Sequence, residues 1–435
     1  MPRYAQPPTL LFEREVIPTY ADWVAMPSFG NGQIAVVGSG DCQQRENENV
    51  VPVSVLQVLA ETGDTVFRFE SHGLDGQPIE TSNLCVDLDG NYMLAIYEHN
   101  VCVRLVRVSP TGQPLQSSSI EEGDPFVAWD VGTKLMLTLL PDSNSRFLLS
   151  WMYRQVREFG TYLRSHHGAA PIWQCPERLV GASDSRIVGV ETPRDGAAIV
   201  CRSREDGAEA WRASFLDYIV AGVTSDALVV VDRSAQLIDR QASEKRLIEC
   251  ADKRQQRGEI SEKEQEAQWQ EALDYLPHVP ATVRVLSLAD GSERWSQAID
   301  GDVLDIVTDE AGLSVLGSTR AGDGICRSFD WSGTTTGEFG FAGRVRDRWP
   351  TDNDEFRFVA RTDELVIWAN GDTLHAHQLG ASGRQLWKLP LPAPCKGFRR
   401  TGMERALPST TMTLGHELLA LRDGSRLWVY RFGVG

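Results

Sequence analysis

One phrase returns along the whole chain, and it constrains the fold more than any other feature. An apolar β-type run leads into a Gly-containing turn, and a short run then closes on an aromatic residue or leucine. VLQVLAETGDTVF ends at Phe67, VRLVRVSPTGQPL at Leu115 and IVCRSREDGAEAW at Trp211. VRVLSLADGSERW ends at Trp295, ICRSFDWSGTTTGEF at Phe339 and LHAHQLGASGRQLW at Trp387. Two β runs joined by a short Gly turn make a hairpin, because glycine reaches positive φ without a Cβ clash.

The spacing turns hairpins into an architecture. Phe67 to Leu115 is 48 residues, Trp295 to Phe339 is 44, and Phe339 to Trp387 is 48. Leu115 to Trp211 is 96, two units, with the decayed unit placed at residues 146–163. Each phrase also follows a further strand pair, such as CVDLDGNYMLAI or RTDELVIWAN. Four strands per 40–50-residue unit predict an all-β chain folded as a single β-propeller over residues 1–435. The last strands, in HELLALRDGSRLWVYRF, lack an outer partner, and PTLLFEREV reads as that missing strand with Phe12 at the aromatic position. Closing the ring this way leaves fewer exposed edges. The count is eight four-stranded blades, or seven if residues 126–163 do not form a full blade.

ADGSERW and ASGRQLW resemble the tryptophan-docking repeat of the PQQ-like propellers, the quinoprotein alcohol dehydrogenase-like superfamily. The resemblance covers about five of the eight units. It implies a propeller, often eight-bladed. Enzymes of that superfamily hold PQQ and calcium over the funnel, with a vicinal-cysteine disulfide on the cofactor. This chain has no adjacent cysteines, so the resemblance points to a non-enzymatic member and to no cofactor. Non-enzymatic scaffolds of the superfamily include a lipoprotein of the outer-membrane assembly machinery, whose signal and lipidation region has no counterpart here. A WD40 reading has only the lone dipeptide in VAWDVG.

The formal net charge of -17 argues against a nucleic-acid backbone or an anionic membrane as partner, since both select clustered Lys and Arg. No apolar run approaches the roughly 18 residues of a membrane span, and MPRYAQPPTLLFEREV has no signal-peptide core. The eight cysteines are scattered, with no CxxC pair, as expected of reduced core thiols. These features together predict a cytoplasmic protein.

Residues 233–281 break the rhythm between VVVD and VRVLSLA, two runs that should pair. The segment is rich in helix formers, and Ser261 with Glu264 matches a capping box. EKEQEAQWQEALDYL then reads as a helix with Trp269, Leu273 and Leu276 near one side. That apolar stripe either packs back on the propeller or docks a partner, and these three residues are the partner-binding candidates.

Other candidates have ordinary explanations. GNGQIA from Gly30 precedes a strand instead of opening a helix, so it reads as a turn and not a dinucleotide site. DLDGNY from Asp87 lacks a downstream bidentate Glu and reads as a hairpin turn. His375 and His377 share one face of a strand and need a third ligand to hold zinc. His166 and His167 sit in a loop-like segment. Trp211, Trp295 and Trp387 recur in register and read as inter-blade packing. Trp23, Trp129, Trp151, Trp173, Trp331, Trp349 and Trp368 lie off it and are the better binding candidates. No catalytic motif is present. The expected function is therefore a non-catalytic protein-interaction scaffold, an accessory or regulatory subunit of a cytosolic assembly. The alternative is a quinoprotein-type dehydrogenase or another funnel enzyme binding a small molecule.

Overall fold

A computed structural model describes residues 5–17, 28–42, 51–72, 79–87, 89–98, 102–119, 135–143, 146–153, 158–165, 171–191, 198–273, 279–299, 301–318, 323–344, 356–362, 364–370, 372–379, 383–393, 397–399, 410–415 and 417–433. Their strands form seven four-stranded antiparallel sheets and one five-stranded sheet. We number these blades 1 to 8 in chain order, spanning 28–72, 79–119, 135–175, 178–214, 218–299, 302–344, 356–390 and 397–431. The eight-sheet count agrees with the sequence reading, and the weak unit is a full blade of four strands. In blades 1 to 7 each strand pairs with the next along the chain. The turns between first and second and between third and fourth strands therefore share one face of the ring. The second-to-third loops and the blade-to-blade connections share the other.

Blade 8 closes the ring as PTLLFEREV predicts. Thr9–Glu15 pairs antiparallel with Arg426–Arg431 as its outer strand. A short fifth strand, Gly397–Arg399, joins the inner side in parallel. Arg422 locks the seam. Its side chain is fully buried and donates to the Val37 carbonyl of blade 1 at 2.6 Å and to the Ile17 carbonyl at 2.8 Å. Burial pushes its pKa down to about 10. Arg431 adds an ion pair to Glu61 of blade 1.

The repeated phrase has a definite geometry. In blades 1 to 7 the outer strand carries a β-bulge where it leaves the third-to-fourth turn, and the outer strand of blade 8 carries one between Leu10 and Phe12. In six blades the residue after the bulge is aromatic: Phe12, Phe67, Trp173, Trp211, Trp295 and Trp387. A bulge increases local twist and re-aims the side chain that follows it, here toward the next blade. Phe12 covers Gly63, Phe67 covers Gly112, Trp173 covers Gly207, Trp211 covers Gly291 and Trp295 covers Gly333. Phe339 covers Gly383 in the same way. A Cβ on Gly291, whose φ is 74°, would lie 2.8 Å from the Trp211 ring. The glycine is thus required twice, by the left-handed backbone and by the ring above it. The indoles also donate across the junction, Trp173 to the Arg204 carbonyl, Trp211 to Leu288 and Trp295 to Trp331.

Three sequence assignments change. Leu115 is the bulge residue itself, and Gln116 holds the aromatic's place in blade 2. Trp173 belongs to the packing set, because the decayed unit ends on that strand and not near residue 163. Trp368, taken as off register and available, is buried in the core between blades 6 and 7.

Candidate functional site

The insertion lies between the second strand of blade 5, Ala227–Asp232, and the third, Ala281–Ser287, which pair directly. Its described residues form two helices, α1 (Ser234–Gln256) and α2 (Glu262–Leu273). The topology places it on the face that carries the blade-to-blade connections. Hydrogen bonds at its base agree. Ser234 Oγ accepts from the Leu216 N–H between blades 4 and 5, and buried Gln236 donates to the Gly301 carbonyl between blades 5 and 6.

The start of α1 is held by the strand before it. Asp232 Oδ1 accepts from the Ser234 N–H at 3.0 Å, and Oδ2 accepts from Arg284 at 3.0 Å. Burial pushes the Asp232 carboxyl up, but the bonds from Ser234 and Arg284 outweigh it and hold the pKa low. The anchor therefore stays charged at neutral pH, aiming the helix off a rigid hairpin. The two helices pack on each other, with Ala251 fully buried, Ile260 buried and Gln265 donating to Asp252 at 2.9 Å.

The capping box forms as expected. Ser261 Oγ accepts from the Glu264 N–H, and Glu264 Oε2 accepts from the Ser261 N–H at 2.7 Å. Of the three partner-binding candidates, Trp269 and Leu273 lie on α2. Leu276 falls outside the described residues. The sequence reading located α2 but gave no separate place to α1, which is the longer helix. Two apolar residues not singled out from the sequence are exposed on α1, Ile238 at 55% and Leu247 at 41%. Leu216, beside the base, is 62% exposed.

The remaining candidates resolve into structure. Asn31 and Gly32 both have positive φ and form the turn between Ser28–Gly30 and Gln33–Cys42, and Asn31 donates to the Gly90 carbonyl of blade 2. Asp87 is buried, accepts from the Asp89 and Asn91 N–H groups and pairs with Arg107. Its oxygens serve a hairpin turn. His375 and His377 do share a face, where their rings are stacked on aromatics. His375 lies 4.2 Å from Trp368 and His377 lies 4.4 Å from Phe339, ring centre to centre. Burial, then His377 and Lys388, push His375 down to about 4. Burial also lowers His377, against the bond to the Gly383 carbonyl. Among the described residues no group of three His, Cys, Asp or Glu side chains is placed to hold a metal ion. None of their helices is long and apolar enough to cross a membrane. His166 and His167 fall outside the described residues.

The fold defines the class: the chain is a β-propeller with a helical insertion. No protein-family model matches the sequence, and no curated protein matches it. Solved structures do. BamB from Moraxella catarrhalis is similar over 98% of this chain and 99% of its own, with a TM-score of 0.50 and 10% identity. Sqt1 from Saccharomyces cerevisiae is similar over 98% and 99%, with a TM-score of 0.52 and 7% identity. The computationally designed Ika8 protein is similar over 96% and 99%, with a TM-score of 0.51 and 11% identity. At such identities the likeness is one of fold.

Proposed function

We propose that this chain is a non-catalytic interaction scaffold of the PQQ-like kind, an accessory or regulatory subunit of a cytosolic multiprotein assembly. The observation that carries this reading is the helical arm, set into a hairpin of blade 5 with Ile238 and Leu247 exposed along it. A propeller blade closes that hairpin with a short loop when nothing further is asked of it. Ile238 and Leu247, nine residues apart, lie on opposite sides of α1, and each offers a separate apolar contact to a protein partner. The net charge of -17 favours a basic partner surface. Free thiols at Cys175, Cys201, Cys250 and Cys326 support a reducing compartment.

The test is affinity capture from the native host with the full chain and with a version whose residues 236–279 are replaced by a short Gly-Ser linker. A stoichiometric partner lost with the arm, and rebound when both proteins are purified, supports the reading. A partner retained without the arm moves the interface to a disc face. No partner in either sample overturns the scaffold reading.

A further inference from the structure

The junction between blades 6 and 7 departs from the others at two linked positions. Phe67, Trp211 and Trp295 each follow their turn glycine by four residues, but Phe339 follows Gly333 by six, with Gly337 in the usual aromatic place. The ring is therefore carried further along the outer strand, over the third strand of blade 7. There it meets His377. The equivalent third-strand residue, opposite the bulge, is Leu59, Val108, Leu286 or Phe329 in blades 1, 2, 5 and 6, and Arg164 or Arg202 in blades 3 and 4. Blade 7 alone places an imidazole here, where four blades have a hydrocarbon side chain and two have a guanidinium that stays charged.

The surroundings suit only the neutral ring. His377 is 6% exposed and stacks on Phe339 with an angle of 1° between planes. Its Nδ1 lies 3.1 Å from the Gly383 carbonyl, which makes Nδ1 the protonated nitrogen. Its Nε2 is buried with no partner among the described residues. A proton added there would be an N–H without an acceptor among the described residues, beside a core of Val366, Phe358, Leu316 and Cys326. His375, two residues back on the same face, stacks on Trp368 and would place a second positive charge beside the first.

The groups facing the pair offer little relief. The second strand of blade 7 presents Val366 and Trp368. The outer strand presents Lys388 opposite His375, a like charge. Among the described residues Asp372, in the turn, is the group that favours protonation of His375. From blade 6, Cys326 is fully buried, and Glu338 is bonded to Arg327 at 2.5 Å. On the inner strands Asp309 is bonded to Arg361 and Asp305 accepts from the Phe358 N–H.

We infer that the junction between blades 6 and 7 is an acid-sensitive joint, closed while His375 and His377 are neutral and loosened when they take up protons. Opening returns each ring to water, where imidazole has its ordinary pKa of about 6.5. Protons then bind the open form in preference. Below about pH 6.5 each histidine shifts the balance toward opening by up to about tenfold per pH unit, until the closed form also takes the proton.

Hydrogen exchange on the full chain at pH 7.5 and pH 5.0, corrected for the chemical exchange rate, tests this without any substitution. Strands 335–344 and 373–378 should open at least about tenfold more at the lower pH. Strands 209–214 and 281–287, at the junction of blades 4 and 5 where Trp211 docks without a histidine, should not. Equal change at both junctions, or none at the first, overturns the inference. The double substitution His375→Phe and His377→Leu should abolish the difference. If that variant folds and keeps it, the inference also fails. If it does not fold, the comparison of junctions within the native chain decides.

Discussion

The indole of Trp211 covers Gly291 in the next blade and donates from Nε1 to the Leu288 carbonyl at 3.0 Å. One side chain thus supplies apolar cover, a backbone hydrogen bond and a constraint on what residue 291 can be. An aromatic ring covers a turn glycine at six of the eight junctions, so each of those is stabilised by a ring from one blade and a bare backbone from its neighbour.

Substitution of that glycine should be costly in a predictable way. Gly291→Ala must carry a Cβ at a φ of 74° and 2.8 Å from the indole. The left-handed backbone and the overpacking together should cost about 2–4 kcal/mol. Gly258, at a φ of 70° with nothing within 4 Å, separates the two effects. Gly258→Ala should cost about 1–2 kcal/mol and only in the arm. Denaturant midpoints read the first, and hydrogen exchange in the helices reads the second.

The seam should depend on Arg422. Arg422→Met keeps most of the volume and removes the donors to Val37 and Ile17. Leaving buried carbonyls unmatched should cost about 2–5 kcal/mol. The amides of residues 9–15 should exchange faster before the rest of the ring. Arg426→Met, at an exposed site on the neighbouring strand, should change stability by less than about 0.5 kcal/mol.

Glu177 gives the chain a pH dependence of known sign. Burial alone would raise its pKa, but the fork from Arg202, at 2.6 and 3.0 Å, holds it below the ordinary 4.5. A lowered carboxylate contributes stability above its unfolded pKa and loses it as pH falls through the folded value. Glu177→Gln should therefore be less stable than the native chain at pH 7, by about 1–3 kcal/mol. The gap should narrow as pH drops below about 4.5. Urea midpoints across pH 7 to 3 measure it.

The cap of α2 should act locally. Ser261→Ala removes the acceptor for the Glu264 N–H and should cost the helix about 1 kcal/mol. Exchange within residues 262–273 should rise about fivefold, while the thermal midpoint of the propeller stays unchanged.

Binding should map to the same helix. Under the scaffold reading, Trp269→Ala and Leu273→Ala should each weaken capture of the partner about tenfold or more, as truncation of an aromatic or aliphatic anchor does. Circular dichroism of the free chain should not change.

Much of this was legible from repetition. Phe67, Trp211, Trp295 and Trp387 could be placed because a turn glycine precedes each by four residues. Phe12 could be placed because a ring needs an outer strand at its seam. Trp173 was hidden because SHHGAAPIW does not reproduce that spacing. The role of Leu115 was hidden for a different reason. A bulge is a relation between two paired strands, and a single strand does not show which of its residues is the extra one. α1 went unplaced because its N-cap, Arg233, makes no side-chain cap bond, and the carboxylate that receives its first N–H belongs to Asp232, a residue that reads as the end of a strand. The pairing of His377 with Phe339 joins different blades, and no local pattern encodes it.

The outer strand of blade 8 has a consequence for how the molecule comes into being. Thr9–Glu15 leaves the ribosome before its partner Arg426–Arg431, which is synthesised some 400 residues later, about 20–80 s at usual elongation rates. Throughout that time Leu10, Leu11 and Phe12 have no sheet to join. The seven blades made in between can assemble in order, each on the one before, but the circle is completed only when Arg426–Arg431 meets Thr9–Glu15. Any factor that shields nascent apolar segments would have its longest task at this one.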